Sequence, residues 1–223
     1  MAHSDVELTP ITVEADFRQT NVQQIPEAVT VVGSEDIEAR SAEHLEQVLS
    51  FAPNVNYSSG ASRGRFYQIR GIGERSQFID PVNPSVGLVI DGIDMTGLGG
   101  AATLFDVKQV EILRGPQGTL YGRNALGGAL NLTTKAPTDE LEGSIKIGTE
   151  SYDDAGDMYN VTGTFNLPMS DNFAVRGTLF YEDSSGMVEN INPTGASDSG
   201  HDYMMARLRA SWDISDQTSL NLT

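Results

Sequence analysis

Residues 110–137 read VEILRGPQGTLYGRNALGGALNLTTKAP, and this stretch decides how the rest of the chain is interpreted. The apolar run at residues 110–113 ends at Arg114-Gly115-Pro116, where proline lacks a backbone donor and glycine permits turn angles. After a glycine-dense segment, a β pattern resumes at residues 129–134. The stretch therefore predicts two strands joined by a tight loop that has little room for side chains.

Composition limits the class of protein. The chain has 223 residues, enough for one or two domains, and contains no cysteine, which excludes disulfides and thiol chemistry. The net charge of −17 argues against nucleic-acid binding, which needs the opposite sign. No apolar run reaches the length of a membrane helix, but strands of a membrane β-barrel leave only a weak signal. The first residues, MAHSD, lack the features of a signal peptide, so we expect a mature, engineered or truncated N-terminus.

The order of residues in 110–137 resembles the end of the plug domain of TonB-dependent outer-membrane receptors. The resemblance lies in VEILRGP, in its spacing to LYG, in the Gly127-Gly128 pair and in NLTTKAP, with further matches in IRGIG (69–73) and VGLVIDGI (86–93). It implies an α+β plug domain, with a mixed four-stranded sheet and short helices. The first antiparallel strands of a 22-stranded transmembrane β-barrel in the bacterial outer membrane would follow.

The segment before residue 66 predicts a strand and two helices. Residues 25–32 have the composition of a strand, and Ser34 is expected to cap a helix whose first turn carries Glu35 and Asp36. Ser41 is the expected cap of a second helix that presents Leu45, Val48 and Leu49 on one face and ends before Pro53. Its Glu43, His44 and Glu46 are interpreted as a solvated face.

No enzyme site emerges from the motifs, and no cofactor or metal is predicted. The glycines lack a following Gly-Lys-Ser/Thr, which excludes a phosphate loop. IRGIG half-resembles a dinucleotide fingerprint, but Ser76 replaces the third glycine and Pro81 and Pro84 interrupt the expected helix. The three histidines are far apart in sequence. Asp91 and Asp94 are expected to cap backbone amides at a turn rather than to form a catalytic pair or a cation site.

From residue 141 the pattern changes to long alternating strands. They are predicted at residues 144–149, 159–167, 173–181 and 203–214, and another begins near residue 220. Short polar turns alternate with a longer loop, as in outer-membrane barrels, although a soluble antiparallel sandwich would show similar strands. Four or five strands cannot close a barrel, and an open edge in lipid would leave backbone groups unpaired. We therefore expect a fragment with three parts: an N-terminal segment (1–20), a plug domain (21–138) and incomplete barrel strands (139–223).

The resemblance also implies functional residues. The Ton box, which receptors of this family offer to TonB by strand addition, corresponds to Thr9, Pro10, Ile11, Thr12, Val13, Glu14 and Ala15; a first structural strand is the alternative. Arg70 and Arg114 match plug arginines that pair with barrel glutamates, which here would lie beyond residue 223. Loops 58–65, 74–84 and 95–103 match the apices that touch ligand. Their candidate contacts are Arg63, Arg65, Phe66, Tyr67, Arg75, Gln77 and Phe78, although these arginines could instead pair with barrel carboxylates or solvent.

The function implied is TonB-dependent active import of a scarce ligand across the outer membrane. A ferric siderophore or another iron chelate is favoured, because the apex arginines suit an anionic ligand. Import of a carbohydrate, of cobalamin or of another small nutrient is the alternative, and a soluble β-rich binding protein is a second one. The expected partners are the periplasmic C-terminal domain of TonB, outer-membrane lipid and an extracellular small molecule.

Overall fold

The computed structural model describes residues 12–13, 20–22, 27–59, 63–76, 81–151, 156–186 and 200–223. The chain forms two compact units, Met1–Thr134 and Lys135–Thr223. The strands of the first unit are β1 (Thr12–Val13), β2 (Thr20–Asn21), β3 (Ala28–Gly33), β4 (Val55–Ser58), β5 (Phe66–Ile69), β6 (Val86–Ile90), β7 (Ile93–Asp94), β8 (Val107–Arg114) and β9 (Gly128–Thr134). Its helices are α1 (Ser34–Ala39) and α2 (Gly118–Tyr121), with 3-10 turns at Leu45–Gln47, Leu49–Phe51, Gly99–Ala102 and Gly122–Asn124. Within the described ranges, no helix is long and apolar enough to cross a membrane.

A mixed sheet organises the first unit, as predicted. Its order is β3-β8-β9-β6-β7, with β6 and β9 parallel and the other pairs antiparallel. The sheet has five strands rather than the expected four, because the chain reverses at Asp91-Gly92 and adds β7 at the edge. These two residues have φ of 49° and 82°, the positive values that a tight hairpin turn requires.

One side of this sheet carries the main core. Val110 and Ile112 of β8 are fully buried and lie opposite Val32 and Leu130 in the register. Leu45 of the first 3-10 turn joins the same cluster, which also contains Val48, Leu49, Tyr67, Ile69, Leu88 and Leu132. Burial of each large aliphatic side chain contributes about 1.5–3 kcal/mol, so this cluster holds the strands and the short helices together.

The stretch 110–137 forms two paired strands, as expected, but its loop is less crowded than predicted. Gly128 has a φ of +150°, and a Cβ there would lie 2.3 Å from the Leu113 carbonyl oxygen. Gly127 is also tight, because a Cβ would lie 2.9 Å from the Ile72 side chain. Gly118 and Gly122 have open space instead, since this part of the loop folds into α2 and a 3-10 turn.

The predicted helical segment 34–52 differs from the structure. The N-cap of α1 is Gly33, which gives no side-chain cap, and Ser34 is the first helical residue. The second helix is replaced by two three-residue 3-10 turns. His44 caps the first of them, while the Gln47 side chain accepts the His44 backbone N–H at 2.9 Å. These local bonds compete with a continuous helix, and the short turns still bury Leu45, Val48 and Leu49.

The second unit is an antiparallel meander. Its strands follow one another in the order β10 (Glu142–Ser151), β11 (Asp157–Ser170), β12 (Phe173–Ser184), β13 (His201–Ser215) and β14 (Thr218–Leu222). All five predicted strands are present. β11 runs through Pro168 to Ser170, so the turn before β12 is shorter than expected.

The alternation along these strands separates an apolar side from a polar one. Val161, Tyr181 and Met204 are aligned across β11, β12 and β13, and they belong to an exposed apolar face that also carries Phe165, Leu167, Leu179, Leu208 and Trp212. The other side carries Asn166, Arg176 and Glu182, all buried. A face with this much exposed apolar surface requires a non-aqueous neighbour.

Candidate functional site

The first and third predicted apex loops touch each other through their backbones. A Cβ on Gly99 would lie 3.0 Å from the Arg65 Cβ and 3.1 Å from the carbonyl oxygens of Arg63 and Gly64. Only glycine allows this approach, because any side chain would push the two loops apart. The backbone that carries Arg63 and Arg65 therefore rests directly on residue 99.

The buried His44 side chain holds Gly99 in place. Its imidazole is 1% exposed, and Nε2 lies 2.8 Å from the Gly99 carbonyl oxygen. Nδ1 accepts the Glu46 backbone N–H at 3.4 Å, so the neutral tautomer with its proton on Nε2 satisfies both contacts. His44 also forms a β-bridge to Thr103 at the end of the same loop. A buried side chain thus ties the third loop to the 3-10 turn at Leu45–Gln47.

Glu46 and Tyr67 fix the first loop in the same way. The Glu46 carboxylate accepts the Gly64 backbone N–H, and the Tyr67 hydroxyl donates to the Gly64 carbonyl oxygen at 3.1 Å. Burial, with a smaller contribution from the Glu46 charge, raises the pKa of Tyr67 far above its ordinary value, so the phenol remains a donor. We call His44, Glu46 and Tyr67 the loop clasp.

The second loop is closed at its base by a carboxylate. Glu74 accepts the Ser85 backbone N–H and hydroxyl, both at 2.9 Å to Oε1. The Gln68 side chain donates to the Glu74 carbonyl oxygen and, at 2.9 Å, to the Ser58 hydroxyl at the start of the first loop. These bonds bring the ends of the first two loops together, and they leave Arg75 exposed beside Glu74.

The described part of the N-terminal segment is packed within the first unit. Thr12 and Val13 form β1, which pairs with β2, and Val13 is fully buried. The Thr12 carbonyl oxygen accepts a hydrogen bond from Gln109 Nε2 at 3.2 Å. The same Nε2 donates at 2.6 Å to Glu111, a fully buried carboxylate.

Asn131 is a second amide donor to Glu111. Its Nδ2 donates to the second carboxylate oxygen at 3.0 Å, from the position directly opposite in β9. A buried carboxylate needs such donors, because an unpaired charge there would cost several kcal/mol. Gln109 therefore links the docked segment to this buried charge in the middle of the sheet.

Arg70 and Arg114 lie close together at one end of the sheet. Arg70 has a φ of +54°, and its Nη1 is 3.9 Å from the position of a Cβ on Gly115, the neighbour of Arg114. Arg114 Nη2 reaches the Thr30 hydroxyl at 3.4 Å, while its buried Nε has no hydrogen-bond partner. The unused Arg114 donor lies beside the backbone position that the Arg70 guanidinium reaches, and a carboxylate would suit it.

The sequence of residues 21–129 matches the family of TonB-dependent receptor plug domains. The chain belongs to the TonB-dependent receptors. It is 32% identical over 174 residues to the pesticin receptor of Yersinia enterocolitica, covering 77% of this chain and 24% of that receptor. It is 27% identical over 222 residues to the ferrioxamine B receptor of Salmonella typhimurium, covering 96% of this chain and 29% of that receptor.

A solved structure has the same fold. The ferric yersiniabactin uptake receptor of Yersinia pestis superposes with a TM-score of 0.70 at 26% identity, covering 87% of this chain and 30% of that receptor. The chain thus spans about a quarter to a third of the receptors it matches. Within a TonB-dependent receptor, the first unit corresponds to the plug and the second to initial barrel strands.

The structure brings some predicted site residues of this receptor together and separates others. Arg63 and Arg65 lie on the first loop, where the Arg65 guanidinium stacks 4.9 Å from the Phe66 ring. Phe66 and Tyr67, also predicted as ligand contacts, are buried at 3% and 1% exposed. The predicted contacts Gln77 and Phe78, and Thr9, Pro10, Ile11, Glu14 and Ala15 of the Ton box, lie outside the described residues.

Sequence reasoning missed the residues that hold these parts in place. The interpretation of His44 and Glu46 as a solvated face is wrong, because His44 is buried and both contact loops that are distant in sequence. Glu111 was taken only as part of a strand. Its alternation with Val110 and Ile112 places it on the other side of β8, and a charged residue inside an apolar strand was the available signal.

The turn carboxylates bind backbone amides, as expected. Asp91 accepts the Thr134 backbone N–H at 2.9 Å, and Asp94 accepts that of Thr96 at 3.0 Å. Burial opposes ionisation of Asp94, but hydrogen bonds from Thr96 and Asn124, together with the Arg123 charge, outweigh it and lower its pKa. Among the residues that the structure describes, no group of His, Asp and Glu could hold a metal ion. TonB-dependent receptors are receptors and transporters rather than enzymes.

Proposed function

We propose that the full-length protein is a TonB-dependent importer of a ferric siderophore or a similar iron chelate across the bacterial outer membrane. The observation that carries this proposal is similarity to a ferrioxamine B receptor and to a ferric yersiniabactin uptake receptor over 96% and 87% of the chain. The exposed apolar face of the second unit supports the membrane location, because lipid is the neighbour that such a face requires.

The chemistry of the loops supports an anionic cargo. Arg63 and Arg65 are carried by a loop whose backbone is fixed from two sides, and Arg75 is exposed on the next loop. Guanidinium groups bind oxygen-rich anions with two parallel hydrogen bonds and stack on aromatic rings. Iron chelates with carboxylate, hydroxamate or catecholate oxygens offer both kinds of contact.

The N-terminal segment supplies the link to the energy source. Residues 9–15 would leave the plug and pair as a strand with the periplasmic domain of TonB. The docking of Thr12 and Val13 supports a resting state in which part of this segment is held back. Force on the segment would then act on the plug through β1.

Arg70 and Arg114 would lock the plug to the barrel wall. The support is the reach of the Arg70 guanidinium to Gly115, the neighbour of Arg114, and the unpaired Arg114 Nε, which a carboxylate from elsewhere in the receptor would satisfy. An Arg114→Ala receptor should let antibiotics or dyes leak through the outer membrane. An unchanged permeability barrier would argue against the lock.

Uptake measurements test the proposed function. Cells that lack other siderophore receptors would express the full-length protein and receive radio-iron as ferrioxamine B, ferric enterobactin or ferric yersiniabactin. We expect uptake of at least one of these chelates, and none in a strain without TonB. Growth on a carbohydrate or on cobalamin through this receptor, with no chelate uptake, would assign the cargo to another class.

A further inference from the structure

We propose that His44 is a positioning residue for ligand binding: it holds Gly99 against the backbone of Arg63–Arg65 and thereby sets where the two arginines stand. This inference rests on the proposed function, because it concerns the same binding loops. It adds a specificity-determining residue that lies beneath the loops and touches no ligand.

The first step of the argument is that the position of Arg63 and Arg65 depends on Gly99. Contact between the two backbones leaves no space for a side chain, since a Cβ on Gly99 would lie 3.0–3.1 Å from three atoms of the neighbouring loop. A loop that leaves no room for even a methyl group against its neighbour cannot move independently of it. A shift of Gly99 by a few tenths of an ångström therefore moves the arginine-bearing loop or opens a gap beneath it.

The second step is that Gly99 is itself fixed by His44. The Gly99 carbonyl oxygen accepts a hydrogen bond from His44 Nε2–H at 2.8 Å. This bond is buried, and His44 is 1% exposed. Loss of the donor would leave a buried carbonyl unsatisfied, and the loop would move to hydrate it. The Leu104 N–H bond to the Glu43 carbonyl at 2.7 Å anchors the far end of the loop, so His44 controls its middle.

The third step is that the other two clasp residues hold the arginine-bearing loop directly. Glu46 and Tyr67 hold Gly64, which is the residue between the two arginines. The backbone at Gly64 is thus bonded to Glu46 and Tyr67 and also packs against Gly99. The clasp therefore fixes the backbone from which the two arginine side chains extend, and such a rigid support favours multidentate recognition of a chelate.

The experiment compares His44→Leu with His44→Gln in the full-length receptor. Leucine fills the space without a donor, whereas the glutamine amide can still donate to the Gly99 carbonyl. We expect His44→Leu to accelerate amide exchange in peptides covering residues 95–104 and 63–66 and to weaken binding of the chelate accepted by the wild type by about ten-fold. His44→Gln should restore most of both properties.

A glycine pair gives an independent version of the same test. Gly99→Ala adds a methyl group against the first loop, while Gly100→Ala adds one where nothing lies within 4 Å. We expect weaker chelate binding for Gly99→Ala and wild-type binding for Gly100→Ala. This pair also covers the case in which His44→Leu fails to fold.

The outcomes separate this inference from the proposed function. Wild-type exchange rates in His44→Leu would overturn the positioning role, and so would altered exchange with unchanged chelate affinity. If the wild type bound none of ferrioxamine B, ferric enterobactin and ferric yersiniabactin, the proposed cargo would be wrong, and the exchange rates alone would still decide whether His44 holds the loop.

Discussion

Replacement of Gln109 by leucine should release the N-terminal segment. Gln109 Nε2 donates to the Thr12 carbonyl oxygen at 3.2 Å, and a neutral hydrogen bond of this kind contributes about 0.5–1.5 kcal/mol net. Its loss should therefore raise the ratio of undocked to docked segment by about 2- to 13-fold. Gln109 also donates to Glu111, so the substitution disturbs the buried carboxylate as well.

Asn131→Leu is the matched control for this effect. The substitution removes a second amide donor to Glu111. Among the contacts described, Asn131 makes no bond to Thr12. Residues 1–223 contain no cysteine, so Val13→Cys introduces the one thiol of this part of the receptor, at a position that is fully buried while the segment is docked. Thiol labelling of this variant then measures undocking directly.

The labelling rates decide whether the reasoning is correct. In the Val13→Cys background, Gln109→Leu should accelerate labelling by about 2- to 13-fold, and Asn131→Leu should leave the rate within about two-fold of its parent. Equal acceleration in both variants would refute the specific role of the Thr12 bond and assign the effect to general loosening of the sheet. No acceleration in Gln109→Leu would refute the docking contribution altogether.

Three further predictions concern the plug and the barrel strands. Gly128→Ala should destabilise the plug by about 2–6 kcal/mol, because the φ of +150° and the contact with Leu113 both exclude a Cβ. Gly118→Ala should leave the stability unchanged or raise it, since its Cβ has open space. Amide exchange rates of β8 and β9 measure both effects. Leu208→Arg should cost up to about 2–4 kcal/mol in the folding of the receptor into lipid vesicles, while Leu208→Phe should fold normally. Because the fold raises the pKa of Tyr67 above 10.0, the contribution of the protonated phenol to the free energy of unfolding is complete below about pH 10 and is lost as the pH rises further. Tyr67→Phe should abolish that loss, as measured by denaturant titrations at alkaline pH.

The strands and their faces could be predicted because their causes are local. Val110 and Ile112 alternate with Glu111, and a turn signal ends the strand at Arg114-Gly115-Pro116. The same period of two located the barrel strands and their apolar face. The edge strand β7 was missed because two residues carry no periodic pattern, and it exists only because the Asp91-Gly92 turn folds them back.

The loop clasp could not be predicted, because its partners are remote in sequence. His44 lies between Glu43 and Leu45, and nothing in that neighbourhood distinguishes it from a surface residue. Its burial comes from Gly99, 55 residues away, and the role of Glu46 comes from Gly64, 18 residues away. The helix expected over this segment was wrong for the same reason, since tertiary contacts and the Gln47 side chain favoured two short turns.

We propose that TonB engages the receptor at residues 9–15 once a chelate is bound. The direct measurement is the affinity of the periplasmic domain of TonB for the purified full-length receptor, with and without ferric chelate. Ile11→Pro removes a backbone donor needed for strand pairing, and Ile11→Val keeps it. We predict chelate-stimulated binding that Ile11→Pro abolishes and Ile11→Val retains; equal binding by the two variants would contradict the account.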